Sequence, residues 1–254
     1  MRPPARLIPV LLLAGSNFVK TIQFRKPMYI GDPINTVRIF NELRVDEIIV
    51  LDIGHKGSIE RPNWSIIEEL AGECHMPMCY GGGVTTVEDA RRLFGIGVEK
   101  VSVNSAAGED IRVLHKLAEE FGEQSIVASM DVTASLFSRQ VVRNLSWRNS
   151  FRYRPAEWAK TLAENGAGEI LLTSVNHEGT WTGFDLPLVR SITEAVPVPV
   201  IAHGGCGSLS DISEVVKGGG ASAVGVGSFV VFQKKGFGVL VNFPEEAELH
   251  NVLD

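Results

Sequence analysis

The chain has 254 residues, 44% of them hydrophobic and 21% charged, which is enough apolar material for a sizeable core and excludes a disordered chain. Twenty-four basic against thirty acidic side chains give a net charge of -6, which excludes a general electrostatic attraction to nucleic acid or to an anionic membrane and leaves room only for a local basic pocket. Cys74, Cys79 and Cys206 show no metal-ligand pairing, so free thiols in a reducing cytoplasm are expected, with no metal and no cofactor.

The first apolar run, Leu7 to Ala14, is one strand long, too short to cross a bilayer, and Pro3, Pro4 and Pro9 crowd it, so it reads as neither anchor nor signal peptide. From there short Val, Ile and Leu runs alternate with amphipathic stretches. Strands are predicted near Leu7 to Leu13, Glu47 to Ile53, Met78 to Gly81, Val101 to Asn104, Ile126 to Asp131, Glu169 to Ser174, Val200 to His203 and Ala223 to Val226, with helices in the gaps. Pro33 and Pro155 suit first helical turns, and Thr86 with Asp89 resembles a capping box. After Phe232 the helical pattern is weak, and the eighth helix is expected to be short or replaced. Apolar residues at successive strand positions imply burial on both faces, as parallel sheets require. A (βα)8 barrel, an α/β fold of about 250 residues, and an open doubly wound sheet are the competing architectures.

An internal repeat favours the barrel. Pro33, Glu47, His55, Gly57, Pro77, Gly82, Gly83 and Asp89 are matched by Pro155, Glu169, His177, Gly179, Pro199, Gly204, Gly205 and Asp211 at one constant offset of 122 residues. Two equal halves close naturally into a twofold barrel, so residues 1–254 are expected to form one barrel domain without a linker.

In such a barrel the chemistry lies at the carboxyl ends of the strands. Gly81, Gly82 and Gly83 with Asn104 and Ser105 form one candidate anion site, and Gly204 and Gly205 with Gly227 and Ser228 form a second; tight turns alone are the competing reading for either glycine cluster. Asp52 and Asp131 are strand-end carboxylates, of which Asp131 is the better candidate for proton transfer and Asp52 the better candidate for a turn acceptor. Lys20, in the loop after the first strand, places a mobile ammonium within reach of a bound anion. His177 and His203 stand near the mouth as hydrogen-bonding residues. At the opposite end Arg6, Glu47, Lys100 and Glu169 form a potential ring of two positive and two negative side chains, whose reading on charge alone is stability, with a gate as the alternative.

Over almost its whole length, including GDPINTVRIFNELRVDEIIVLDI, YGGGVTTVEDARRLFGIGVEKVSVNSAA, GAGEILLTSVNHEGT and PVIAHGGCGSL, the sequence resembles the HisF family, the cyclase subunit of imidazole glycerol phosphate synthase. The resemblance implies a twofold (βα)8 barrel that binds a bisphosphorylated substrate at its top face, docks a HisH-like glutaminase below, and passes ammonia between them. It puts phosphate on Gly82, Gly83, Asn104, Ser105, Gly205 and Ser228, makes Arg6, Glu47, Lys100 and Glu169 an ammonia gate, places Lys20 and Asp52 in the substrate loops, and makes Asp131 one of two catalytic aspartates.

The partner aspartate is replaced by Leu12 in IPVLLLAGSNFVK, and Asn176 and Glu178 stand where the family tends to carry aspartates. Through IPVLLL, FVKTIQFRKPMYIGDPIN and SAVGVGSFVVFQKKGFGVLVNFP the chain is most similar to the HisF-like (WbuZ-type) branch of surface-polysaccharide biosynthesis. That likeness implies a barrel working with a HisH-like glutaminase and an ATP-dependent sugar amidotransferase in an acetamidino modification, without ring closure. The alternatives are a working cyclase of histidine biosynthesis and a phosphosugar isomerase.

Overall fold

A computed structural model describes residues 5–54, 62–134, 140–143 and 153–253. His55 and Gly57 of the repeat lie outside the described residues. The chain begins with β1 (Arg6–Ala14), a hairpin of β2 (Asn17–Ile22) and β3 (Arg25–Gly31), and α1 (Pro33–Glu42). It continues through β4 (Ile48–Asp52), α2 (Trp64–Glu73), β5 (Met78–Gly81), α3 (Val87–Gly95), β6 (Lys100–Val103), α4 (Ser105–Glu109) and α5 (Arg112–Phe121). The second half holds β7 (Ile126–Ala134), β8 (Gln140–Val142), α6 (Pro155–Glu164), β9 (Glu169–Ser174), α7 (Leu186–Thr193), β10 (Val200–His203), α8 (Leu209–Lys217), β11 (Ala223–Val226), α9 (Ser228–Val231) and α10 (Glu246–Leu253).

Eight of these strands pair in parallel in the ring order β1, β4, β5, β6, β7, β9, β10, β11, and β11 closes back onto β1 through Arg6 opposite Ala223 and Pro9 opposite Val226. The architecture is the (βα)8 barrel, and the open sheet is excluded by that closure. Strands alternate their side chains between two cores. Ile8, Val10, Ile49, Cys79, Val127, Leu171, Ile201 and Ala223 fill the interior, while Leu7, Leu11, Leu13, Ile48, Val50 and Tyr80 pack outward against the helices. Burying each such aliphatic side chain stabilises the fold by roughly 1.5–3 kcal/mol.

The repeat is visible in local structure. Pro33 and Pro155 sit in the first turns of α1 and α6, where a missing N–H costs nothing. Asp89 completes a capping box with Thr86 at α3, and the Ser208 side chain likewise caps α8 by accepting from the Asp211 N–H. Ile48 N–H donates to Pro77 and Ile170 N–H to Pro199, both at 2.9 Å. The eighth helix is replaced by one turn, α9, and by α10, which packs on α8.

Among the described residues, two additions lie outside the barrel ring: the β2–β3 hairpin, antiparallel to β1, and β8, antiparallel to β7. The first corrects the expectation of a loop after the first strand. Residues 17–22 form a strand with Phe18, Val19, Lys20 and Thr21 all buried, and the carboxylate of Glu178 fixes the turn that follows.

Candidate functional site: a charged base and a polar mouth

Arg6, Glu47, Lys100 and Glu169 stand at the amino-terminal starts of their strands and point inward. Arg6 Nη1 donates to Glu47, Arg6 Nη2 lies 2.8 Å from Glu169, Lys100 Nζ lies 2.8 Å from Glu47, and 3.4 Å separates Lys100 from Glu169. Each acid therefore touches both bases, and the four close a neutral ring across the base. Glu47 is the most buried member, with a side chain only 6% exposed, so loss of either cation would leave it undercompensated.

Above the ring, the eight interior side chains already named are all at 0% exposure, so no open bore crosses this layer among the described residues. A seam of small polar groups runs up one side. Burial and the nearby Glu47 carboxylate push the Cys79 thiol well above its ordinary range, which keeps it neutral. Ser102 and Ser129, on neighbouring strands, join their hydroxyls at 2.6 Å. Neither serine was singled out by sequence, although the strand alternation that turns Lys100 and Val127 inward turns Ser102 and Ser129 inward too.

At the carboxyl-terminal mouth Asp131 accepts a hydrogen bond from Asn104 Nδ2 at 2.8 Å and has Thr173 beside it in register on β9. Burial pushes its carboxyl up to about 7, with the Asn104 bond opposing and the Glu178 charge assisting. Leu12, on the strand four places around the ring of eight, is 6% exposed and faces Leu51 in register. The mouth therefore has a titratable carboxyl on one wall and hydrocarbon on the other.

Lys20 is not a mobile loop residue. It lies in β2, 3% exposed, and its Nζ donates to the Val10 carbonyl; burial lowers it to about 8, opposed by Glu178. Gly227 leaves room there for the Lys20 ammonium, since a Cβ would stand 2.8 Å from it. Asp52 is also placed away from the interior. It shares the outward face of β4 with Ile48 and Val50, accepts from Tyr80 Oη at 3.3 Å and from Gly54 N–H at 2.9 Å, and its surroundings are those of a turn acceptor.

The two glycine clusters occupy equivalent strand ends. Gly82, Gly83, Gly204 and Gly205 all have positive φ, from 70° to 120°, and the short helices α4 and α9 begin at Ser105 and Ser228. Beside the second cluster is a small pocket lined by Glu178, His203, Gly204, Gly205, Gly227 and Ser228. Glu178 reaches across to the hairpin: Thr21 Oγ1 and Phe24 N–H both donate to its carboxylate at 3.0 Å, and the Gln23 N–H donates to its carbonyl. Asn176 Oδ1 accepts from Ala134 N–H and Thr133 Oγ1, holding the end of β7. His177 bonds Ser174 Oγ at 2.9 Å and His203 bonds Thr173 at 3.2 Å. No group of three or more His, Cys, Asp or Glu among the described residues has metal-binding geometry, and no described helix is long and apolar enough to cross a membrane. The three cysteines are free thiols.

A family model described as histidine biosynthesis protein matches residues 6–235. The chain is 45% identical over 244 residues to a Pseudomonas aeruginosa protein named "Putative imidazole glycerol phosphate synthase subunit hisF2", covering 96% of this chain and 97% of that one. It is 39% identical over 251 residues to a Vibrio vulnificus protein named "Putative imidazole glycerol phosphate synthase subunit hisF3", covering 98% and 96%. It is also 39% identical over 246 residues to a Leptospira borgpetersenii protein named "Putative imidazole glycerol phosphate synthase subunit HisF", covering 96% of each. With the closed barrel, the ring at its base and matches spanning nearly the full length, the chain belongs to the histidine biosynthesis protein family, among relatives named as HisF subunits of imidazole glycerol phosphate synthase.

Proposed function

We propose that this chain is the ammonia-conducting barrel of a glutamine amidotransferase system and no longer carries out ring closure. A HisH-like glutaminase docks on the amino-terminal face and releases ammonia at the ring of Arg6, Glu47, Lys100 and Glu169. Neutral ammonia then follows the seam of Cys79, Ser102 and Ser129, using side-chain rotations to pass the apolar layer. At the mouth, a phosphorylated ligand is held by Gly82, Gly83, Asn104, Ser105, Gly205 and Ser228. The nitrogen is delivered to an ATP-dependent sugar amidotransferase for the acetamidino modification of a surface polysaccharide.

The observation that carries this reading is the pairing of a complete ion ring at the base with Leu12 facing Asp131 across the mouth. A ring of four charges that costs desolvation and touches both acids and both bases is suited to opening and reclosing around a small polar molecule. A hydrocarbon opposite Asp131 removes one half of an acid–base pair, and general acid–base catalysis is worth roughly 10²–10⁴-fold in rate. The test uses the barrel with its glutaminase and amidotransferase, and reversal of charge at Glu47 or Lys100. Glutamine should then fail to support amination while free ammonium still supports it. Equal loss with both nitrogen sources would contradict the gate.

One observation favours a second reading, a working cyclase of histidine biosynthesis: Glu178 is another buried carboxylate at the mouth, close enough to Asp131 to raise it. Both its oxygens are taken by the hairpin, however, which suits a clamp better than a proton carrier. Rescue of a histidine auxotroph lacking the cyclase would establish the second reading.

A further inference from the structure

Asp131, Thr173 and His203 stand in register on three neighbouring strands, β7, β9 and β10. The Thr173 hydroxyl bonds His203 Nδ1 at 3.2 Å and stands beside the Asp131 carboxyl, its register neighbour, so that an ionised Asp131 is the acceptor next to its proton. His203 is 8% exposed and its ring lines the pocket beside Gly204, Gly205 and Ser228. Its second nitrogen, Nε2, has no hydrogen-bond partner among the described residues. A hydroxyl has a single proton to give. While Asp131 is ionised, that proton is committed to the carboxylate, so Thr173 accepts from His203 and the imidazole must carry its proton on Nδ1. The pocket then meets a bare lone pair on Nε2.

We propose that Thr173 and His203 form a proton wire joining the glycine pocket to Asp131. A proton enters at His203 Nε2 from the pocket, the Nδ1 proton passes to Thr173 Oγ1, and the proton that Thr173 held passes to Asp131. One N–H bond and two O–H bonds form; the incoming donor's bond, one N–H and one O–H break. All three residues end neutral, and His203 now presents an N–H to the pocket. Resting on the reading of that pocket as a phosphate site, the consequence is linkage: a phosphate dianion meets a repelling lone pair in the first state and a donor in the second, so its binding draws a proton onto Asp131.

The groups that face His203 fit this arrangement. Burial, with the Lys20 charge adding to it, lowers His203 to about 3, so the imidazole stays neutral and moves protons without storing one. Lys20 faces it from β2, Glu178 from the loop after β9, and Cys206 from the turn after β10, where burial keeps the thiol neutral. The neighbouring β11 offers only Gly225, whose absent side chain leaves room for the imidazole edge.

The test is nitrogen NMR on the full chain with labelled histidine, His203 being assigned among six histidines by His203→Gln. In the wild type the two ring nitrogens should exchange protonated and bare character as pH crosses the neutral range. The exchange should vanish in Asp131→Asn and Thr173→Val and return in Thr173→Ser. Calorimetry with inorganic phosphate in buffers of different ionisation enthalpy should show uptake of about one proton per bound dianion near pH 8, and none in Thr173→Val. Invariant His203 signals in the wild type, or an unchanged titration in Thr173→Val, would overturn the wire. A working tautomer switch with no phosphate bound at this pocket would overturn the pocket reading and support the wire by itself.

Discussion

Leu12 and Asp131 face each other from opposite walls of the mouth, and the proposed loss of ring closure turns on that pair. Restoring a carboxylate with Leu12→Asp should raise ring closure of the histidine-pathway bisphosphate with free ammonium by about 10² or more over the wild type, read as formation of imidazole glycerol phosphate. No gain would mean that the mouth has lost more than one proton carrier. Asp131 also makes stability depend on pH. Its folded carboxyl is raised to about 7 from 3.8, so between those values the folded chain holds a proton that the unfolded chain has lost. The stability this supplies is complete below about pH 4 and disappears as pH rises through 7. Asp131→Asn should therefore gain stability relative to the wild type on going from pH 4 to pH 8, by on the order of 4 kcal/mol, measured by denaturant unfolding at each pH. An equal difference at both pH values would contradict the burial of that carboxyl. Asp131 was legible in sequence because it ends an apolar run. Thr173 and His203 were not joined to it, because the bonds between them follow from strand register and not from spacing along the chain.

The β2–β3 hairpin pairs with β1, and its turn is held by the loop after β9. Glu178 takes two hydrogen bonds from the turn, and Gly179, at φ 71°, lies so close that a Cβ would stand 2.4 Å from the Thr21 carbonyl. Gly179→Ala combines a left-handed backbone with a clash against main chain, and should cost more than about 1 kcal/mol. Glu178→Ala leaves the Phe24 N–H and the Thr21 hydroxyl without their acceptor and should cost about 1–3 kcal/mol. In both variants amide exchange should quicken first at residues 20–24, and uniform quickening across the barrel strands would show that the clamp is not local. The barrel strands themselves were readable, since runs of Val, Ile and Leu buried on both faces have no other common home. The hairpin was hidden. Lys20 and Thr21 interrupt the apolar run of β2, and the partners of Thr21 and Gln23 lie more than 150 residues away in Glu178 and Asn176.

At the scale of the whole molecule, the constant offset between halves made the closed barrel visible, because paired prolines, caps and glycines recur at equivalent strand and helix ends. What no offset reveals is how the interior is filled. The charged ring was legible as four residues at strand starts, but its closure, each acid on both bases, depends on the shear of the barrel. Glu47→Ala should cost about 1–3 kcal/mol by leaving Arg6 and Lys100 to share Glu169, with the loss reduced at high salt for the more exposed Arg6. The central claim is that nitrogen is conducted from this ring to a mouth that has given up ring closure. The most direct measurement supplies the wild-type barrel and its glutaminase with the bisphosphate intermediate, once with glutamine and once with ammonium, and follows imidazole glycerol phosphate. The predicted result is glutamine hydrolysis with product formation at least 10²-fold below that of Leu12→Asp from either nitrogen source. Turnover of the wild type at an ordinary enzymatic rate would contradict it.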